Sequence, residues 1–138
     1  MRRSALAVSR KVASASIASR RSVRLVDLTK VPLILYERGS TGRQHVLDAF
    51  HERALTPRIA LETTSTETII SMVEAGLGVS IVPLLASGAV TRGRNVAVAK
   101  IRDEIRPIHS GILRRRRESM SAGAARLLAF ITSQPGGV

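Results

Sequence analysis

Residues 31–83 constrain the fold most, because apolar runs alternate there with helical patterns. The first apolar run, residues 33–35, leads into a Gly-Ser-Thr-Gly segment and then into a helical pattern. The second strand-like run, residues 58–62, leads into a Thr-Thr-Ser-Thr segment and another helical pattern, and residues 79–82 close the block. This alternation predicts an α/β fold with βαβ units on a largely parallel sheet. Ligands of such sheets bind beyond the carboxyl ends of the strands, where both hydroxyl-rich segments fall.

The composition indicates one globular domain with an aliphatic core. The chain has 138 residues, and only three of them are aromatic, namely Tyr36, Phe50 and Phe130. Because there is no cysteine, disulfides and cysteine-based zinc sites are excluded, which fits a reducing compartment. No apolar run approaches the roughly 20 residues that a membrane span needs. We therefore expect a cytoplasmic protein that makes no membrane contact.

The net charge of +12 is concentrated in two short patches. Residues 1–24 hold seven basic residues and no acidic one, and the run of four arginines at residues 114–117 adds four more charges. Residues 25–113 hold ten basic and nine acidic residues, so the predicted domain is nearly neutral. The overall charge therefore says little about what the fold itself binds.

The ends of the chain differ from the central block. Residues 1–21 are rich in Arg, Ser and Ala and contain no acid, which predicts a basic, disordered N-terminal segment. The same composition is typical of an organelle transit peptide, which is the alternative interpretation. Beyond the block, we predict strands at Val96–Ile101 and at residues 108–113, and a helix with one apolar side at residues 121–132.

The first hydroxyl-rich segment is the strongest candidate site. It consists of Gly39, Ser40, Thr41, Gly42 and Arg43. Free N–H groups at a helix start, the positive end of the helix dipole, two hydroxyls and a guanidinium all suit an anion. The Gly-Lys-Ser/Thr ending of a phosphate-binding P-loop is missing. The structural alternative is a capping box between Thr41 and Gln44, in which the hydroxyl only caps the helix.

The second hydroxyl-rich segment could supply further donors to the same cleft. Its candidate residues are Thr64, Ser65 and Thr66. The structural alternative is again a capping box, with Thr64 as N-cap and Glu67 at the third helical position. We expect one of the three hydroxyls to serve as this cap.

The sequence makes no positive case for catalysis or metal binding. The histidines at positions 45, 51 and 109 lack metal-ligand spacing, and no base accompanies the hydroxyls of Ser40 or Thr41. We therefore predict no enzyme, no metal and no cofactor. The arginines at residues 114–117 could contact phosphate, although no aromatic residues are interleaved for stacking on single strands. A basic protein that binds nucleic acid non-specifically through its arginine patches is thus an alternative function.

Three segments resemble the effector-binding domain of LysR-type transcriptional regulators, over about residues 22–131. The first is Pro-Leu-Ile-Leu-Tyr at residues 32–36, followed by Gly-Ser-Thr-Gly-Arg. The second is Ala-Leu-Thr-Pro-Arg at residues 54–58, before a strand that ends near Glu62. The third, Met-Val-Glu-Ala-Gly-Leu-Gly-Val-Ser-Ile-Val-Pro at residues 72–83, is similar to the family segment V-x-x-G-x-G-[VI]-x-[LIV]-[LIV]-P. Together they make a specific match.

The resemblance implies a fold like type 2 periplasmic binding proteins, with two α/β lobes and a small effector between them. It places residues 22–113 in an effector-binding lobe, mostly lobe two. Residues 114–138 would be the hinge, the return strand end and the C-terminal helix of an incomplete lobe one. The implied partner is a small anionic effector, an organic acid or inorganic anion, contacted by both hydroxyl-rich segments. The implied assembly allows a homodimer through lobe–lobe contacts.

The chain departs from the family pattern in length. Neither a helix-turn-helix nor the first part of lobe one is recognisable, so DNA would be contacted only through a domain that is missing here. We interpret the chain as a truncated regulator, and a non-functional gene fragment is a further alternative. Half a cleft should bind an effector weakly. The apolar side of the helix at residues 121–132 should be exposed, or should rest on the N-terminal segment.

Overall fold

The computed structural model describes residues 4–9, 17, 19–83, 91–108, 111–114 and 119–133. Two compact units are present, one of residues 2–108 and one of residues 109–138 with Met1. The first unit contains β1 (Ser4–Ser9), β2 (Ser22–Val23), α1 (Leu25–Leu28), β3 (Leu33–Tyr36), α2 (Thr41–His51), β4 (Ile59–Thr63), α3 (Thr66–Glu74), β5 (Ser80–Pro83) and β6 (Val96–Ile101). The second unit contains α4 (Ala122–Ser133). Within the described residues, every helix is too short or too polar to span a bilayer.

The N-terminal strand β1 corrects, for residues 4–9, the prediction of a disordered segment at residues 1–21. It pairs antiparallel with β5 on one side, where Leu6 lies opposite Ile81, and with β6 on the other, where Leu6 lies opposite Ala99. Leu6 and Ala7 are fully buried. The prediction rested on the average composition of the segment, which does not reveal this short uncharged run. The backbone N–H and C=O groups of the run form hydrogen bonds with two neighbouring strands. Residues 1–3, 10–16 and 18 lie outside the described part.

The strands pair both antiparallel and parallel, whereas the sequence predicts a largely parallel sheet. One sheet has the strand order β2-β6-β1-β5, with β1 antiparallel to both of its neighbours and β2 parallel to β6. The other pairs β3 with β4 in parallel. Ile34 N donates to Val79 O at 2.8 Å, and Val79 N donates to Pro32 O at 3.0 Å, so β3 is also tied to the chain entering β5. The predicted strands at β3 and β6 are confirmed.

The alternation of side chains along β3 sets the layers of the first unit. Leu33 and Leu35 are buried in a cluster with Phe50 of α2. Ile34, which points to the opposite face as strand geometry requires, is buried in a cluster with Ile70 of α3. The two helices therefore cover opposite faces of β3, and each presents one apolar side to it.

The second unit bears out the prediction that the C-terminal helix has an exposed apolar side. No described residue of α4 is buried, and Leu127 and Phe130 are 59% and 63% exposed. The predicted strand at residues 108–113 is wrong for residues 111–113, which are irregular. Residues 109–110 lie outside the described part, as do three of the four arginines at residues 114–117.

Leu6 and Leu127 test the two burial assignments with the same substitution. We expect Leu6→Ala to lower the free energy of unfolding by about 3 kcal/mol, because the side chain is fully buried and its removal leaves a cavity. Leu127→Ala should change it by less than about 0.5 kcal/mol. Urea denaturation followed by circular dichroism measures both. Equal costs for the two variants would contradict the placement of β1 inside the sheet.

Gly78 tests the close approach of the chain before β5 to the start of β3. A Cβ at this position would lie 2.6 Å from the carbonyl oxygen of Pro32, which accepts the hydrogen bond from Val79. We expect Gly78→Ala to lower the free energy of unfolding by about 2 kcal/mol, because the backbone must shift. Gly111→Ala is the matched control, since nothing lies within 4 Å of its Cβ position. Loss of stability in the control alone would refute the packing argument.

Candidate functional site

The ends of β3 and β4 bring the two hydroxyl-rich segments to one edge of the sheet. Tyr36, the last residue of β3, pairs with Thr63, the last residue of β4. The register continues one step further, because Glu37 N donates to Thr63 O at 3.0 Å. Both strands run in the same direction, so the loops that start α2 and α3 leave the sheet side by side.

At the start of α2, neither hydroxyl of the loop caps the helix. Gly39 has φ of 92°, a conformation that favours glycine, and the N-cap residue is Ser40, whose side chain accepts no capping hydrogen bond. The predicted capping box between Thr41 and Gln44 is wrong, because Thr41 is already the first helical residue and Gln44 donates to Asp48 Oδ1 at 2.7 Å. The first-turn N–H groups are therefore left without a side-chain acceptor from this loop.

Arg43 stabilises the loop between β3 and α2. The sequence predicts its guanidinium as part of an anion site, but the residue is only 9% exposed. Its Nη2 lies 2.8 Å from Glu62 Oε1, and its Nη1 donates to Tyr36 O at 2.9 Å. The positive charge is thus neutralised by a carboxylate of β4, and the side chain fastens α2 to the ends of both strands.

At the start of α3, Ser65 is the cap. Thr68 N donates to Ser65 Oγ at 3.3 Å, so the prediction of Thr64 as N-cap is wrong by one residue. The Ser65 hydroxyl donates to Glu67 at 2.9 Å. The pKa of Glu67 is lowered by its own backbone N–H and then by this hydroxyl. Thr64 is exposed, and within the described residues its hydroxyl has no hydrogen-bond partner.

Tyr36 links the two helix starts, a role that sequence reasoning missed. Its hydroxyl lies 2.6 Å from Thr66 Oγ1 of α3. Its ring is close to Gly42 of α2, since a Cβ added at that glycine would lie 3.8 Å from the Tyr36 ring. Partial burial raises the pKa of Tyr36, the Thr66 hydroxyl lowers it, and the nearby charge of Glu67 raises it further. The signal available in the sequence was the chain's single tyrosine at the carboxyl end of a buried strand.

A pocket of about 340 Å³ lies at the start of α2 and is called the α2 pocket below. Arg106 supplies its cation, and the guanidinium is paired with Asp48 of α2. His45 Nδ1 lies 3.0 Å from Arg106 O, which ties the loop after β6 to the helix. The lining residues are Gly39, Ser40, Thr41, Gln44, His45, Asp48 and Arg106.

The α2 pocket contains part of the predicted site. Gly39, Ser40 and Thr41 line it, whereas Thr64, Ser65 and Thr66 do not. Sequence reasoning missed Gln44, His45 and Asp48, which follow the predicted segment within α2, and it missed Arg106 because a loop some 60 residues away along the chain completes the wall. In the described part, no group of three or more histidines, aspartates or glutamates is arranged to hold a metal ion. The lining offers hydrogen-bond donors and one guanidinium, which is paired with the Asp48 carboxylate of the same pocket.

The α/β unit has a ligand-sized pocket at the start of α2, and its class follows from the family model and the solved structures that match it. It is an effector-binding domain of the type 2 periplasmic-binding-protein-like fold. The family model described as the LysR substrate binding domain matches residues 10–135, so the chain belongs to that family.

Named relatives and solved structures agree with this assignment. The HTH-type transcriptional regulator CysB of Burkholderia cenocepacia is 40% identical over 70 residues, which are 51% of this chain and 22% of CysB. The BenM effector binding domain with its effector benzoate is 25% identical with a TM-score of 0.60, over 74% of this chain and 46% of that one. The effector binding domain of QuiR in complex with shikimate shares the fold, with 20% identity, a TM-score of 0.68, and coverage of 94% and 59%.

The single tyrosine allows the link between the helix starts to be tested by titration. We expect the absorbance of tyrosinate to appear with a midpoint above the ordinary pKa of about 10. Because the folded state holds this proton more tightly, the contribution to stability is full below about pH 10 and is lost as the pH rises through the raised pKa. Thr66→Val should raise the midpoint further, whereas Glu67→Gln should lower it. Shifts in the opposite directions would refute the contacts described.

Proposed function

We propose that this LysR-family effector-binding domain takes a small anion, an organic acid or an inorganic anion, in the α2 pocket. The observation that carries the proposal is the convergence of donors at the start of α2. Ser40 and Thr41 offer hydroxyls that cap nothing, the first-turn N–H groups lack a side-chain acceptor, and Arg106 lines the same pocket. An anion would satisfy all three kinds of donor at once.

The charges of the two arginines near the site support this choice of ligand. Arg43 is buried against Glu62 and contributes little positive potential to the opening. Arg106 is 60% exposed, and its partner Asp48 is 24% exposed. An exposed ion pair is weak, so the guanidinium can exchange its carboxylate for that of a ligand at little cost. The eleven-residue helix α2 adds its dipole in the same sense.

The relatives support a carboxylate as the first ligand to try. The BenM domain is described with its effector benzoate, and the QuiR domain with shikimate, both of which are carboxylates. We extend this chemistry to the present chain as part of the proposal. Thr64, Ser65 and Thr66 flank the same edge of the sheet, and we propose that the exposed hydroxyl of Thr64 contacts a ligand that extends beyond the α2 pocket. Gly42 and Arg43 would act by shaping the loop.

The role of the whole protein is a further part of the proposal. CysB is an HTH-type transcriptional regulator, and the chain aligns with 22% of its length. We propose that effector binding here controls the DNA binding of a helix-turn-helix regulator of this family. The expected homodimer through lobe–lobe contacts stays a prediction.

Calorimetric titration with a panel of small carboxylates, each beside its neutral amide, tests the proposal. The pair benzoate and benzamide and the inorganic anion sulfate belong to the panel. We expect at least one anion to bind while its neutral counterpart does not. Thr41→Val should weaken that binding by about tenfold, because one hydrogen bond to a charged ligand is lost.

Matched variants separate a site from a general effect on the fold. Thr56→Val makes the same change at an exposed threonine that does not line the α2 pocket, and it should leave the affinity unchanged. Arg106→Gln should weaken the anion but should not create affinity for the amide. If anions and amides bind alike, or if Thr56→Val weakens binding as much as Thr41→Val, the proposal is wrong.

A further inference from the structure

A second concave site in the first unit is lined mainly by arginines. This arginine pocket, of about 450 Å³, is formed by Arg20, Arg21, Ser22, Arg24, Asp27 and Arg102. It shares no lining residue with the α2 pocket. Four guanidinium groups face one carboxylate, so the pocket carries an excess of three positive charges.

Main-chain hydrogen bonds bring these arginines together from two distant parts of the chain. β2 pairs in parallel with β6, and Arg102 N donates to Val23 O at 2.9 Å. The Arg102 Nε also donates to Ser22 Oγ at 2.9 Å. Val23 is 1% exposed, so the ladder below the pocket is anchored in the core. The convergence of charge is therefore built into the sheet.

The single carboxylate compensates little of this charge. Asp27 Oδ1 lies 3.6 Å from Arg20, Asp27 Oδ2 lies 4.0 Å from the Arg24 side chain, and both arginines are at least half exposed. The same carboxylate already accepts a hydrogen bond from Arg24 N at 3.0 Å. Within the described residues, the guanidinium of Arg21 has no hydrogen-bond or ion-pair partner. Like charges held in one concavity repel, and an anion relieves that repulsion.

We propose that the arginine pocket is a second binding site of this domain and that it takes a phosphate group. The tetrahedral oxygens of a phosphate dianion accept hydrogen bonds from several guanidinium forks, and its double charge offsets more of the excess than a carboxylate does. The ligand is inorganic phosphate or a small phosphate monoester. Duplex DNA is the less suitable occupant, because its affinity comes from many phosphates along a basic stripe, and residues 25–113 are nearly neutral.

Titration of inorganic phosphate into the full chain, in a phosphate-free buffer of low ionic strength, tests the inference. We expect one phosphate to bind in this pocket, with an affinity that falls as salt is added. Arg21→Gln should weaken it by about fivefold, the scale of an exposed charge contact. The phosphate affinity of Arg21→Lys should lie between those of the parent chain and of Arg21→Gln, because lysine keeps the charge but loses the paired N–H donors of the guanidinium. Without phosphate, the melting temperature of Arg21→Gln should be no lower than that of the parent chain, because the substitution removes one of the repelling charges.

Three comparisons decide the outcome. Arg58→Gln removes the same charge at an exposed position outside both pockets, and it should bind phosphate as the parent does. Thr41→Val should leave unchanged the phosphate affinity that Arg21→Gln weakens, even if phosphate also enters the α2 pocket, which separates the two sites. The inference is overturned if phosphate does not bind, if Arg58→Gln or Thr41→Val weakens it as much as Arg21→Gln, or if duplex DNA binds and phosphate does not displace it.

Discussion

The parallel pairing of β3 with β4 is the constraint on which the α2 pocket depends. Because Tyr36 and Thr63 end their strands as paired neighbours, both following loops leave the sheet at one edge. The alternation of Leu33, Ile34 and Leu35 then sends α2 to one face of β3 and α3 to the other. Two helix starts with exposed donors are thereby held together by a strand that has no freedom to slide, since a slip by one residue would turn its apolar side chains to the wrong faces.

Two arginines near the start of α2 differ in burial, and this difference separates a structural role from the proposed binding role. The Arg43 side chain is only 11% exposed, although that of Glu62 is 35% exposed, and separating the pair would leave the guanidinium in a poorly hydrated place, so this contact stabilises the loop. In the pair of Arg106 with Asp48 the guanidinium is 60% exposed, and screening of this exposed charge makes an exchange of partners cheap. An arginine therefore stabilises the loop at position 43, and another is available to a ligand at position 106.

The order of strands and helices in residues 31–83 was accessible from the sequence, because apolar periodicity reports burial directly. Val96–Ile101 has the predicted bounds, and β3 contains the apolar run at residues 33–35. The caps were misassigned by one residue at both helices, since Ser40 and Thr41, like Thr64 and Ser65, are chemically equivalent candidates. Arg106 could not be predicted as a site residue, because no local sequence pattern indicates which distant loop completes the lining of the α2 pocket. β1 was missed because its pairing partners lie more than 70 residues away.

That remote pairing has a consequence for how the chain acquires its structure. β1 occupies the middle of its sheet, yet its two neighbours are β5 and β6, so the closing contacts join residues near position 6 to residues near positions 81 and 99. Closing such long loops is slow relative to forming local helices. During synthesis β1 can complete its pairing only after β5 and then β6 have been made. The order of assembly is thus opposite to the order of translation for this element.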